Sequence, residues 1–153
     1  MTPGDPAREA QSLGALSERD EQPQVRFAWR EEVDDRELSA LHAAGFDGDG
    51  SISPWAERLE RYSLGWVTAR RGSELVGFCN AITDGGRHAF LLDVVVHPAH
   101  QGTGIGRSLV LHTIEECRSC HVEWLHVDFE ADLGEFYMAE GLFRRTTAGI
   151  LKL

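Results

Sequence analysis

The sequence predicts an α/β (α+β) fold, a mixed and mostly antiparallel central sheet flanked by helices. Three observations carry this expectation. Strand-like and helix-like patterns alternate along the chain. Two joins between strand-like runs, Arg71-Gly72-Ser73 and Asp84-Gly85-Gly86, are short glycine turns suited to antiparallel pairs. A glycine-rich turn at 101–106 links a valine run directly to an amphipathic helix. At 153 residues, 42% hydrophobic and 26% charged, the composition is that of one globular domain. A chain this long buries about two-thirds of its unfolded surface and needs neither metal nor disulfides to fold.

Residues 1–24 stand apart. They hold three of the five prolines and five acids against two bases, with no aromatic residue, Val or Ile. Such a segment cannot offset its ordering entropy by burial, so a mobile tail is expected, with room for a short helix at 7–17. The folded domain is expected to cover 25–153. Residues 25–31 (VRFAWRE) alternate like a strand. Residues 34–44 form a helical pattern, with Leu38, Leu41 and His42 on one face and acids in the first turn. Ser53 followed by Pro54 reads as an N-cap and first helical residue, opening a helix to about Tyr62. Residues 65–71, 74–83 and 87–96 are three strands of a meander. Ile105, Leu109, Thr113, Ile114 and Cys117 then recur at helical spacing through 104–120. Residues 122–129 read as a strand, 132–140 as a helix and 143–153 as strand-like.

Charge and composition exclude several classes. A net charge of −10 with no basic stripe argues against nucleic-acid binding. It keeps a protein soluble, and it favours a cationic partner such as an amine. Three cysteines, an odd number, give no disulfide framework and point to a reducing compartment. No apolar run approaches the roughly 20 residues of a membrane span, and no leader-like segment opens the chain. A cytoplasmic location away from membranes is therefore expected.

The segment from Asp93 to Gly106, DVVVHPAHQGTGIG, is the most informative. Glycines permit positive φ and close approach of a ligand, and the first N–H groups of a helix are unpaired at the positive end of its dipole. Together they suit a phosphate or pyrophosphate. Arg107 and Ser108 after Gly106 are not the Gly-Lys-Ser/Thr of a P-loop. Residues between the strand and the glycines, after an antiparallel meander, do not fit a dinucleotide fingerprint. A glycine-rich connection without a ligand is the structural alternative.

Gln101-Gly102-Thr103-Gly104-Ile105-Gly106 after a Val-x-x-Pro strand end resembles the Q/R-x-x-G-x-G/A motif of the GNAT (N-acetyltransferase) superfamily. Phe136-Tyr137 followed by Gly141 is similar to that family's late FYxxxG segment, and the resemblance covers about 25–153. It implies acetyl-CoA as cofactor, its pyrophosphate held by backbone N–H groups from Gln101 through Gly106 to Arg107. It implies main-chain pairing of the pantetheine arm with Val94, Val95 and Val96, and a thioester between two parallel strands that splay apart. It places Tyr137 as the acid that protonates the leaving thiolate and Asp93 as a general base. Asp128 and Glu130 lie where acceptor amines approach in that fold. The segment 128–132 (DFEAD) departs from the asparagine usual there, and Gly141-Leu142-Phe143 departs from the usual Gly-Phe.

Each residue also has a structural reading: Tyr137 as a core aromatic, Asp93 as a partner for His97, and Asp128 or Glu130 as a helix cap. Three other signals do not build sites. Cys117-Arg118-Ser119-Cys120-His121 spells a haem-attachment pattern but fits a helix end. Residues 47–53 (DGDGSIS) resemble a calcium loop, yet the register that uses Gly50 puts Gly45 and Ala56 at ligand positions. His97 and His100 flank Pro98 without a third ligand, so no metal is expected. The function implied is acetyl transfer from acetyl-CoA to a primary amine on a small molecule or peptide, by direct attack in a ternary complex, in a monomer or homodimer. A non-catalytic acyl-CoA-binding sensor or interaction module is the alternative. Asp47, Asp49 and Glu57 near the expected acceptor side suit a cationic acceptor.

Overall fold

The computed structural model describes residues 24–139 and 142–153. Most of the tail expected at 1–24, and Gly141 of the late motif, therefore lie outside the described residues. The elements are β1 (Val25–Trp29), α1 (Asp35–Phe46), α2 (Trp55–Tyr62), β2 (Ser63–Arg71), β3 (Glu74–Thr83), β4 (His88–Val96), α3 (Ile105–Ser119), β5 (Trp124–Val127) and α4 (Gly134–Met138). Short 3₁₀ turns at Pro98–His100 and Ala131–Leu133 precede α3 and α4. The sheet order is β1-β2-β3-β4-β5. The first four strands are antiparallel and β5 joins β4 in parallel, as the two glycine turns and the α3 crossover require.

Strand alternation sends two apolar sets to opposite faces. On one, Leu38, Leu41, Trp55 and Leu59 of α1 and α2 pack with Trp66, Phe78 and Val95. On the other, Ile105, Leu109 and Val110 of α3 pack with Val67, Ala69, Val76, Cys79, Leu91 and Tyr137. Glycine sets close approaches of both helical layers to the sheet. A Cβ on Gly45 would stand 2.2 Å from Val95 Cγ2, so α1 lies directly on β4, and one on Gly77 would stand 3.0 Å from Leu109 Cδ1.

Four local expectations need correction. Pro54, not Ser53, is the N-cap of α2, and it offers no side-chain cap. Asp35 of α1 takes that role by accepting from Ala56 N at 2.8 Å, while Ser53 N donates to Ser39 Oγ at 3.0 Å. The strand expected at 122–129 is paired only over Trp124–Val127. The helix expected at 132–140 is broken into a 3₁₀ turn and one short helix, with the winding changing at Leu133 (φ −86°, ψ 3°). Residues 143–153 form no strand: from Arg144 onward they are exposed, with Ile150 at 96%. Strand propensity without a paired neighbour does not hold a strand in water.

Candidate functional site

The glycine turn is built from the strand end outward. Pro98 starts the 3₁₀ turn, whose His97 accepts Ala99 N–H through Nδ1 at 3.2 Å. Gln101 Nε2 donates to Val96 O at 3.1 Å and Thr103 Oγ1 donates to His100 O at 2.7 Å, so both side chains brace the turn. Gln101 N–H turns inward to Pro98 O. Gly102 and Gly104 have φ of +74° and +87°, and a Cβ on either would meet no atom within 4 Å. The need for glycine there is conformational, and the space beside them is open. Gly104 is the N-cap of α3, with no side-chain cap and no acid in the first turn. The N–H groups at Ile105, Gly106 and Arg107 thus begin a 15-residue helix with its dipole unopposed by a carboxylate. Ile105 is buried in the core, so only its backbone reaches the turn. A Cβ on Gly106 would make only ordinary contact with Phe136 at 3.4 Å and Val96 at 3.5 Å.

Beside this turn β4 and β5 separate. Their pairing runs from His88↔Trp124 to Leu91↔Val127 and stops. His97 N donates to Val76 O of β3, and Val95 faces Phe78 in register. By alternation the N–H groups of Val94 and Val96 point to the other edge, where β5 has departed. The Val95 side chain is buried under α1, whereas Val94 and Val96 pack against the other core, the one that includes Tyr137.

At the parting point β4 bulges. Phe78 pairs with Val95 but Asn80 pairs with Leu92, so an extra residue is accommodated and Asp93 adopts φ +53°. The bulge turns the Asp93 carboxylate toward α1 and α2. Oδ1 meets His42 Nε2 at 3.2 Å, Oδ2 meets Arg58 at 3.4 Å, and Asn80 Nδ2 donates to Oδ2 at 3.5 Å. The expected partner His97 is not part of this cluster. His42 is tilted against Phe46 and Trp55, with ring centroids 4.6 and 5.0 Å away, and the Arg58 guanidinium lies 3.8 Å from the Trp55 ring centroid. His42, Asn80, Trp55 and Arg58 join Asp93 in the candidate site and were not among the candidates read from the sequence. The available signal was His42 on an otherwise apolar helix face, together with the Trp55/Arg58 spacing of three.

Tyr137 is buried, stacked on Phe129 at 4.8 Å and edge-on to Phe136 and Phe143. Burial, with a smaller contribution from Cys79, pushes its phenol up to about 12, so it is protonated at neutral pH and able to donate. Asp128 and Glu130 are exposed beyond the end of β5, and Glu130 makes no side-chain cap to the following turn. The structure brings Asp93, Val94, Val96 and the glycine turn to one end of β4, and leaves Asp128 and Glu130 on the facing lip. His97 and His100 stay with the turn, their rings 5.8 Å apart. Among the described residues no group of three His, Cys, Asp or Glu could hold a metal, and no helix is long and apolar enough to cross a membrane.

Known proteins share this fold. The chain matches the family model described as Acetyltransferase (GNAT) family over residues 18–137. An L-methionine sulfoximine/L-methionine sulfone acetyltransferase of Salmonella typhimurium is 51% identical over 91 residues, covering 54% of this chain and 53% of the relative. An uncharacterized N-acetyltransferase of Pyropia yezoensis is 35% identical over 72 residues, covering 47% and 41%. The chain thus spans about half the length, or less, of these curated relatives. Glucosamine-6-phosphate N-acetyltransferase of Arabidopsis thaliana superposes with a TM-score of 0.71 at 14% identity, covering 85% of this chain and 98% of that one. An aminoglycoside N-acetyltransferase solved in complex with CoA gives 0.69 at 15% identity, covering 85% and 94%. These likenesses show the fold, and the family match over most of the described chain shows the kinship: this protein belongs to the GNAT acetyltransferase family.

Proposed function

We propose that this chain transfers an acetyl group from acetyl-CoA to a primary amine by direct attack in a ternary complex. The observation that carries the proposal is the turn at Gly102 and Gly104, open on its outer side and leading uncapped into α3. That geometry fits a pyrophosphate, which the N–H groups from Gly102 to Arg107 would hold. Bound there, acetyl-CoA supplies an acetyl thioester in the gap beyond Leu91 and Val127. The outward N–H groups of Val94 and Val96 pair with the pantetheine arm and stabilise negative charge developing on the thioester oxygen. Asp93 takes the proton from the incoming amine, the new C–N bond replaces C–S, and Tyr137 returns a proton to the departing sulfur. Asp128 and Glu130 attract a cationic acceptor from the facing lip. Among amines, similarity to the Salmonella enzyme and to an L-amino acid N-acyltransferase of Escherichia coli favours an amino acid.

Calorimetric titration of acetyl-CoA, with desulfo-CoA as control, tests the cofactor. Micromolar binding is expected, and no binding at millimolar ligand would return the turn to a structural role. Gly104→Asp should weaken binding by about 100-fold, or ~2.7 kcal/mol, since it sets a carboxylate against the pyrophosphate and strains a backbone at φ +87°. Unchanged affinity in a folded variant would refute the placement. Tyr137→Phe should lower kcat by about 100-fold while acetyl-CoA affinity stays within about twofold. Equal rates of CoA release would make Tyr137 a core residue only.

A further inference from the structure

The acceptor side of the site has a head and a floor. The floor is the outer face of β4 before the bulge. Phe90 and Leu92 point to the same face as α1 and α2 but lie beyond their cover, 40% and 39% exposed. Phe90 stacks on His126 of β5, with ring centroids 4.7 Å apart. The head is the cluster of Asp93, His42, Asn80 and Arg58 at the bulge. Its bonds are long. Arg58 meets Asp93 at 3.4 Å, against about 2.7–2.9 Å for a firm charge-assisted contact. The Arg58 side chain is 45% exposed and rests on the Trp55 face, which fixes its plane without occupying its N–H donors. Trp55 Nε1 and Asn80 Oδ1 are buried without a hydrogen-bond partner.

A cation beside a carboxylate is the recognition pair for a zwitterion. An α-amino acid carries ammonium and carboxylate on one carbon, so the groups that read them must be neighbours, as Arg58 and Asp93 are. A polyamine would instead meet Arg58 as a like charge next to its reacting amine. Resting on the acetyl-transfer reading above, we infer that Arg58 anchors the α-carboxylate of an amino-acid acceptor. The amine then lies at Asp93 and His42, and an apolar or weakly polar side chain lies along Leu92 and Phe90. Arg58 is thus the residue that sets specificity, by bidentate hydrogen bonding that an amine without a carboxylate cannot use.

The test compares L-methionine with 3-(methylthio)propylamine, the same side chain without the carboxylate. Each is titrated into the CoA-saturated full chain and assayed by CoA release from acetyl-CoA. The wild type should favour L-methionine by about 30-fold or more in kcat/KM. Arg58→Met should bring that ratio below about 3 with CoA affinity unchanged, and Arg58→Lys should retain part of it. A wild-type ratio near one, a ratio that Arg58→Met does not move, or no binding of L-methionine would overturn the inference. None of these outcomes touches the acetyl-transfer reading, which falls if acetyl-CoA fails to bind or if no amine acceptor releases CoA from it.

Discussion

Arg70 and Arg58 both reach acidic residues around α1 and α2, and they are held in opposite ways. Arg70 is 14% exposed and saturated: its Nε meets Glu31 at 3.0 Å, both terminal nitrogens meet Glu37 at 2.8 Å, and one also donates to Ser73 O at 2.8 Å. Its carboxylates are equally occupied. Glu31 accepts Thr68 Oγ1 at 2.7 Å and Glu37 accepts Leu75 N at 3.2 Å. Arg58 has one long ionic contact and an aromatic face. A polar cluster that uses up its own donors and acceptors ties elements together. One that leaves them over, in an exposed setting beside a strand bulge, has capacity for a ligand. The first locks β1, α1 and β2, and the second stands at the β4 bulge, next to the exposed Leu92.

The largest effect expected from this contrast is on stability at Arg70. Arg70→Met leaves Glu31 and Glu37 facing each other without their shared cation, a loss of about 3 kcal/mol. For a chain of this size that lowers Tm by about 6–12 °C, readable by thermal or urea unfolding. A loss under about 1 kcal/mol would remove the distinction between the two clusters.

A smaller effect sharpens the same point through pH. Burial would raise the Glu31 carboxyl, but hydrogen bonds from Thr68, Arg26 and Arg70 outweigh it and hold it below its usual 4.5. A carboxyl depressed in the folded state contributes stability that is present above its unfolded value and is lost as pH falls through the folded one. Glu31→Gln should therefore be less stable than wild type at neutral pH, with the gap closing as acid is added below about 4.5. A gap that is constant from pH 7 to pH 3 would mean that the network acts by shape rather than charge.

The legible and illegible parts of this molecule divide by range of interaction. Periodicity over neighbouring residues was enough for β1 to β4 and for α3, and Gly102, Gly104 and the uncapped start of α3 are local features that a sequence displays directly. The head cluster is not local. Asp93 meets residues 51 and 35 positions away, and only the bulge, which depends on how Phe78 and Asn80 pair, aims it there. The misread ends have the same cause. Asp35, not the adjacent Ser53, caps α2, because α1 happens to lie alongside. The apolar, β-branched character of 143–153 suggested a strand, but composition does not report whether a pairing edge is at hand.

The smallest expected effect is the one on which the contrast depends most. Arg58→Met keeps an apolar stem over Trp55 and deletes a long, half-exposed ion pair and a cation–π contact, so its stability should change by less than about 1 kcal/mol. A side chain held for the fold would not be so dispensable. If the same variant that loses preference for an α-carboxylate melts with wild type, Arg58 serves recognition alone. If it costs as much as Arg70→Met, the guanidinium is part of the scaffold that positions Asp93. Long bond distances would then be a poor guide to where this protein binds its acceptor. The unfolding curve of one variant, set beside that of Arg70→Met, separates the two.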